Sequence, residues 1–222
     1  MNKMARICLL GLGLALLVVS VATAQENFKV GGVAGVRGLA GHAILPPAKA
    51  LFTNCGPGCT SYNTGSGYYI CGTSCPDSPG QTLAMGFSAT KATTFVKALG
   101  ANTNYISVAG KIGAYLLKGD PTAGPTTKLA KLVQHGTIPD FPTIATIKYT
   151  LKKGAKPVSF KKGKTYFFCQ TEPTAGAEML WMVSNSDLSS PFWFQEAGTC
   201  INPAGGWLNA TGAANGAALE IN

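Results

Sequence analysis

The stretch that decides the fold class runs from Ile144 to Leu151 and reads IATIKYTL. Ile147, Tyr149 and Leu151 fall on one side of an extended chain, and the residues between them are Lys and Thr. Because successive side chains of a β-strand point to opposite faces, this alternation predicts a strand with one buried face.

Two other stretches, Tyr166–Cys169 and Met179–Val183, are apolar at every position, which is typical of strands covered on both faces. A longer alternating run, Ile106–Leu116, predicts one more strand. Turn sequences rich in Gly and Pro separate these runs, as at 119–121, and helix-forming sequence is scarce. The chain therefore predicts an all-β fold, a single antiparallel β-sandwich or jelly-roll-like domain over residues 49–222.

The composition excludes disordered and collagen-like chains. Of 222 residues, 46% are hydrophobic and only 12% are charged, so the chain can bury a core. The 28 glycines follow no three-residue period. With 18 Lys and Arg against 9 Asp and Glu, the protein is basic.

The N-terminus predicts export. Two basic residues precede an apolar run from Ile7 to Val21, and small residues follow at 22–24, which is the layout of a secretory signal peptide. The run is shorter than the roughly 18 to 20 residues that a membrane-spanning helix needs. We expect residues 1–24 to be removed and the Gly- and Ala-rich residues 25–48 to form a flexible leader. The mature protein is then secreted or periplasmic, without stable membrane insertion.

The cysteines predict disulfides. Removal of Cys8 with the signal peptide leaves six, an even number in an exported chain. A hairpin turn centred on the Gly-rich run 63–67 places Cys59 opposite Cys71 and Cys55 opposite Cys75, within bonding distance. This ladder is the favoured interpretation.

An alternative follows from the Gly-Pro-Gly between Cys55 and Cys59, which is poor strand sequence. If it bends the chain, each C-x3-C pair closes on itself. In both arrangements Cys169 is left to pair with Cys200. A metal site is not expected, because no His lies near these cysteines and an oxidising compartment favours the S–S bond.

The order of turns and core positions in the domain follows a recognisable pattern. Its segments are LFTN (51–54), GPG (56–58), SYNTGSGY (61–68), QTLAMGF (81–87), IGAYL (112–116), FKKGKTY (160–166) and the strand around Trp181. This pattern resembles the exported bacterial β-sandwich domains called choice-of-anchor proteins, in particular the R type. The resemblance covers roughly Leu51 to Ile221 and implies a fold and a location outside the cytoplasm, but no activity. The cysteines at 55–75 depart from it, and we expect a soluble exported form because no sorting motif ends the chain.

The strongest local feature is positive charge. Residues 148–164 contain seven lysines and no acidic residue. Lys152, Lys153, Lys161 and Lys162 are therefore candidates for binding a polysaccharide or an anionic envelope polymer. Alternatively, these lysines are solvated turn residues that discourage edge-to-edge sheet pairing. Nucleic acid is not an expected partner of an exported protein.

Aromatic residues give a second set of candidates. Trp193 and Trp207 are candidates for stacking on sugar rings, whereas Trp181 lies in an apolar strand and is expected in the core. Packing in the core or under loops is the other interpretation of Trp193 and Trp207.

No catalytic residue and no cofactor is predicted. His135 and Asp140 lack a nucleophile-elbow motif, and Glu172 and Glu178 form only a weak carboxylate pair. The sequence thus favours an exported, non-catalytic module with a binding or structural role in the cell envelope or the extracellular space. A carbohydrate or anionic-polymer binder is the alternative, and a secreted hydrolase has the least support.

Overall fold

The computed structural model describes residues 50–74, 80–106, 112–185, 193–203, 206–209 and 216–222. Within these ranges the chain forms strands and turns and no helix, so none of the described segments is a helix that could span a membrane. The strands are β1 (Phe52–Thr53), β2 (Tyr62–Cys71), β3 (Gln81–Ser88), β4 (Thr93–Thr94), β5 (Ala98–Ile106), β6 (Gly113–Asp120), β7 (Gly124–His135), β8 (Ala145–Leu151), β9 (Ser159–Phe160), β10 (Thr165–Thr171), β11 (Glu178–Ser184), β12 (Trp193–Thr199), β13 (Asn202–Pro203), β14 (Leu208–Asn209) and β15 (Leu219–Ile221).

The strands pair antiparallel in one large, curved sheet. Its order is β1-β15-β5-β8-β7-β6-β10-β3-β12-β13, while β11 pairs with β5 and β2, and β14 pairs with β12. The sheet curves until β2 contacts β3, so that opposite walls of a nearly closed barrel act as the two layers of a sandwich. The predicted all-β antiparallel fold is confirmed. The short strands β4 and β9 form a separate pair.

Strand β8 confirms the alternation predicted for IATIKYTL. Ile147 and Tyr149 are buried, whereas Thr146 and Lys148 are exposed. Strands β10 and β11 are buried on both faces, as their uninterrupted apolar sequences predicted.

The inner faces of β10 and β11 belong to the main core, to which they contribute Phe168 and Trp181. Their outer faces are covered by two small clusters, each of which contains a disulfide. On β10 the cluster includes Cys169, bonded to Cys200, and we call it the β10 outer cluster. On β11 the covering residues include Cys55 and Cys59, and we call this the β11 outer cluster.

The predicted hairpin around Gly65 is wrong. Strand β2 runs from Tyr62 to Cys71 and pairs with β11, with a bulge near its start. A Cβ at Gly67 would lie only 2.9 Å from the Cβ of Leu180, so glycine permits close packing of the two strands. The Gly-rich run is therefore strand rather than turn.

The favoured cysteine ladder, Cys59 with Cys71 and Cys55 with Cys75, is wrong as well, because it depended on that hairpin. Cys55 is bonded to Cys59, with Cα atoms 4.5 Å apart, as in the alternative pairing. Both glycines between them have a φ of 71°, which closes the turn. Cys71 is also in a disulfide, and Cys75 lies outside the described residues. The predicted bond between Cys169 and Cys200 is confirmed.

The single strand predicted over Ile106–Leu116 is also wrong. Strand β5 ends at Ile106 and β6 begins at Gly113, and they pair with different neighbours. The alternation joined residues of two strands across 107–111, which lie outside the described ranges.

Three polar side chains are fully buried in the barrel and bond to one another. Asn102 Nδ2 donates to Gln170 Oε1 (3.0 Å), Gln170 Nε2 donates to Tyr149 Oη (3.2 Å), and Tyr149 Oη donates to Asn102 Oδ1 (3.2 Å). Burial raises the pKa of Tyr149, which keeps its hydroxyl a neutral donor. This closed network ties β5, β8 and β10 together across the core.

Residues 1–49 lie outside the described ranges. They hold the predicted signal peptide, 1–24, and the predicted leader, 25–48, and both assignments stay predictions.

Candidate functional site

Eight exposed lysines form a surface that we call the basic end. They lie in the connections around β4 and β9 and near the end of β6: Lys91, Lys118, Lys152, Lys153, Lys156, Lys161, Lys162 and Lys164. The four lysines predicted as binding candidates are among them.

Backbone hydrogen bonds bring two of these connections together. The turn 161–164 packs against the end of β3, where Gly163 N donates to Ala89 O (2.8 Å) and Ala89 N donates to Lys164 O (3.0 Å). Lys91, two residues after Ala89, is therefore held beside this turn. No sequence pattern links Lys91 to the lysines of the turn.

The remaining lysines reach this end through two further contacts. The connection 152–158 is anchored where Phe95 N donates to Val158 O (2.8 Å). Lys118 on β6 is paired directly with Tyr166, just after the lysine-bearing turn. The sheet thus gathers lysines from segments that are far apart in the sequence.

Among the described side chains, few carboxylates balance this charge. Five acidic residues have described side chains, and three of them are buried: Glu172, Glu178 and Glu220. Asp120, two residues after Lys118, accepts hydrogen bonds from the Thr122 hydroxyl and from the N–H groups of Thr122 and Ala123. These bonds lower the pKa of Asp120, so its carboxylate stays ionised and stabilises the turn that follows it.

The structure describes the surroundings of only one of the two tryptophan candidates. Trp207 is partly buried and packs against the β10 outer cluster, which favours its packing role over stacking on a sugar. Trp193 lies on β12 opposite Met85, and its side chain is outside the described part of the structure.

A cleft of about 970 Å³ lies at the other end of β6 from Lys118. Residues from the end of β5, the start of β6, the end of β7 and the segment 136–140 line it. Its lining includes the side chains of Asn104, Lys131, Val133, Gln134 and Asp140. Sequence reasoning missed this cleft, which no local motif marks.

A short parallel bridge between Asn104 and Asp140 forms one wall of the cleft. Asn104 N donates to Pro139 O (2.8 Å), and Phe141 N donates to Asn104 O (2.8 Å). The Asn104 side-chain Nδ2 donates to Ile138 O (2.9 Å) and to Asp140 Oδ1 (3.3 Å). Both polar side chains are thereby held in place.

Three aromatic rings lie near the Asn104–Asp140 bridge but do not line the cleft. Tyr105 and Phe141, which follow Asn104 and Asp140 in the chain, are 44% and 39% exposed. Their ring centroids are 6.1 Å apart with planes at 64°, and Tyr69 lies 5.6 Å beyond Tyr105.

The His135 and Asp140 considered for catalysis have other described partners. His135 Nε2 lies 2.7 Å from Thr150 Oγ1, and that hydroxyl donates to Leu151 O (3.2 Å). His135 is therefore hydrogen-bonded to a hydroxyl of the neighbouring strand, and the tautomer of its ring decides which of the two groups donates.

The carboxylate pair considered for glycoside hydrolysis is buried. Glu172 and Glu178 are 5% and 1% exposed. Burial raises the pKa of Glu172, and a hydrogen bond from Thr174 N (2.8 Å) partly opposes this shift. Among the described side chains, no group of three or more potential metal ligands occurs.

Comparison of the chain with protein families, with curated proteins and with solved structures finds no match.

Proposed function

We propose that the protein is an exported, non-catalytic binding module that holds an anionic polymer on its basic end. The observation that carries this proposal is the grouping of eight exposed lysines, with one described carboxylate nearby, by strand pairing at one end of the barrel. Like charges held together repel one another, and a polymer of repeated negative charge relieves that repulsion at several points at once.

Export is supported by the disulfides and by the predicted signal peptide. Disulfides such as Cys55–Cys59 and Cys169–Cys200 persist in oxidising compartments. The resemblance to choice-of-anchor domains stays a prediction and agrees with a place outside the cytoplasm. In an exported protein, the basic end would be exposed to anionic polymers of the cell envelope.

The absence of catalysis is part of the proposal. Glu172 and Glu178 are buried away from solvent, and His135 is hydrogen-bonded to Thr150, so neither set presents an open acid–base pair. A purely structural protein is the competing function, and it would show no salt-sensitive retention on a polyanion.

Retention on immobilised dextran sulfate and polygalacturonate, with neutral dextran as a reference, tests this proposal. We expect retention on both polyanions that falls steeply with salt, since the screening length shrinks from about 10 Å at 0.1 M to about 3 Å at 1 M. Replacement of Lys152, Lys153, Lys161 and Lys162 by Gln should abolish it at low salt.

A matched pair of double variants separates the basic end from net charge. Lys161→Gln with Lys162→Gln removes two charges from the turn, and Lys131→Gln with Lys148→Gln removes two from exposed strand positions. Only the first pair should weaken retention markedly. Equal effects of the two pairs, or retention that salt does not reduce, would exclude the basic end as the binding surface.

A further inference from the structure

Two turns of the basic end share a sequence and a backbone conformation. We call residues 152–155 the first dilysine turn and residues 161–164 the second. Each begins with Lys-Lys-Gly, and every residue of both turns is exposed. The φ of Gly154 is 81° and that of Gly163 is 73°, as a type II turn requires at its third position. In each turn the N–H of the fourth residue donates to the carbonyl oxygen of the first, over 2.9 Å and 3.2 Å.

The segment between the two turns is anchored to the core. Phe160 is 1% exposed, and its ring lies 5.5 Å from that of Phe87, 6.1 Å from that of Phe95 and 4.7 Å from that of Tyr166. Val158 is buried too, and its carbonyl oxygen accepts a hydrogen bond from Phe95 N (2.8 Å). The folded core therefore sets the position of one turn relative to the other.

The second dilysine turn is also held to β10 and to the end of β3. Lys161 N donates to the hydroxyl of Tyr166 (2.8 Å), and Gly163 N donates to Ala89 O (2.8 Å). These bonds use the backbone of the turn, and the side chains of Lys161 and Lys162 are exposed. The backbone that presents the charges is thus ordered before a ligand binds, which reduces the entropy lost on binding.

One polymer chain can reach both turns at the same time. Only the segment from Ala155 to Lys161 joins them, and an extended chain of that length spans at most about 22 Å. Lys156 lies on this segment and is exposed. A ligand with a single anionic group contacts one turn, whereas a chain of repeated anionic groups can contact both. The second contact is then intramolecular, which raises the overall affinity.

The cations of the basic end are all lysines, and residues 50–222 contain no arginine. Arginine has a planar guanidinium group that matches a carboxylate or a phosphate with two hydrogen bonds, whereas lysine presents a compact point charge. The dilysine turns should therefore respond to the number and spacing of negative charges along a polymer rather than to the type of anion.

We propose that the two dilysine turns are subsites that a single linear polyanion chain occupies together, so that the protein binds long anionic chains in preference to short ones. This inference rests on the proposed function, because it requires that the basic end binds an anionic polymer. Either turn alone is a weak site, and strong binding requires both.

Calorimetric titration at low salt with linear polyphosphate and with oligogalacturonate, each in a series of graded chain length, tests the inference. Affinity is expressed per anionic group, which removes the statistical advantage of a longer chain. We expect it to rise about tenfold or more once the chain is long enough to contact both turns. Both series should show this rise, although one carries phosphate groups and the other carboxylates.

Single-turn variants determine whether the turns act together. Lys152→Gln with Lys153→Gln removes the charge of the first dilysine turn, and Lys161→Gln with Lys162→Gln removes two charges from the second. Each double variant should abolish the rise with chain length but weaken the binding of short chains only about twofold, since one of two equivalent sites remains. Lys131→Gln with Lys148→Gln is the matched control, because it removes two charges from exposed strand positions. This control should keep the rise.

Failure of the inference differs from failure of the proposed function. If no chain of either series binds, both fail. If chains bind but the two single-turn variants keep the rise of the parent protein, the basic end remains a polyanion site and the paired subsites are refuted. A rise with only one of the two polymers would contradict recognition by charge spacing.

Discussion

Glu172 and Asp120 show how the surroundings of a single residue set the sign of its pH dependence. Burial raises the pKa of Glu172, so its contribution to stability is present below its ordinary pKa and is lost as the pH rises through the raised value. Hydrogen bonds from Thr122 lower the pKa of Asp120, so its contribution is present at neutral pH and is lost as the pH falls.

Glu172→Gln and Asp120→Asn are therefore expected to act in opposite directions. Near pH 7 the Glu172 variant should be more stable than the parent and the Asp120 variant less stable, whereas near pH 2.5 both differences should be small. Urea denaturation at the two pH values measures this. A Glu172 variant that is less stable at neutral pH would mean that the bond from Thr174 outweighs burial.

The sequence could not reveal these environments. Glu172 stands before a proline in what reads as an exposed turn, and its burial comes from strands distant in the chain. Likewise, Tyr149 was predicted inside from the alternation of β8, but its polar partners Asn102 and Gln170 lie in strands where polar residues usually indicate a solvent face.

At the scale of elements, the two described disulfides close loops of very different length. Cys169 and Cys200 are separated by 31 residues, and Cys55 and Cys59 by 4. In the loop-entropy model the longer loop contributes about 3 to 4 kcal/mol and the shorter one about 2 kcal/mol.

Replacing each cysteine pair by serines should therefore destabilise the protein unequally. The Cys169→Ser, Cys200→Ser variant should lose more unfolding free energy than the Cys55→Ser, Cys59→Ser variant, as measured by guanidinium denaturation under non-reducing conditions. Each variant also places two serines in an outer cluster, so each serves as the packing control of the other. An equal or reversed order would show that cluster packing, not loop closure, dominates.

Strands were predicted correctly where the hydrophobic pattern of a single segment is sufficient to identify them. The alternation of β8 and the apolar runs of β10 and β11 depend only on which faces are covered. Prediction failed where the start and end of a strand depend on which other strand it pairs with. Gly65 suggested a turn but lies within β2, and the run from Ile106 to Leu116 spans two strands.

At the scale of the whole molecule, the predicted export has a direct chemical test. We expect protein recovered from the periplasm or medium to begin at Gln25 and to contain no free thiol. Intact mass measurement with and without a thiol-alkylating reagent, followed by non-reducing peptide mapping, determines the N-terminus and the bridges together. A chain that starts at Met1, or one that reacts with the reagent before reduction, would contradict this expectation.

The two candidate surfaces differ in how far the sequence revealed them. Six of the eight lysines of the basic end were visible in the run 148–164, whereas Lys91 and Lys118 join them only through backbone contacts of the folded chain. The cleft was not visible, because Asn104, Gln134 and Asp140 come from segments that meet only in the folded sheet. The exposure of a single aromatic residue such as Tyr105 cannot be predicted from the residues next to it in the sequence.

Because the two described disulfides lie outside the inner core, a reducing solution should affect the surface of the protein before its core. The inner core does not contain Cys55, Cys59, Cys169 or Cys200. Breaking the two disulfides that they form should therefore leave the strand pairing of the barrel intact. Reduction of Cys169–Cys200 would free the segment around Cys200 from β10 and expose the apolar side chains of the β10 outer cluster to water, whereas Cys55–Cys59 is a bond within one loop and its reduction would release no segment from β11. We expect that a thiol reductant will cause the protein to self-associate before it loses strand structure.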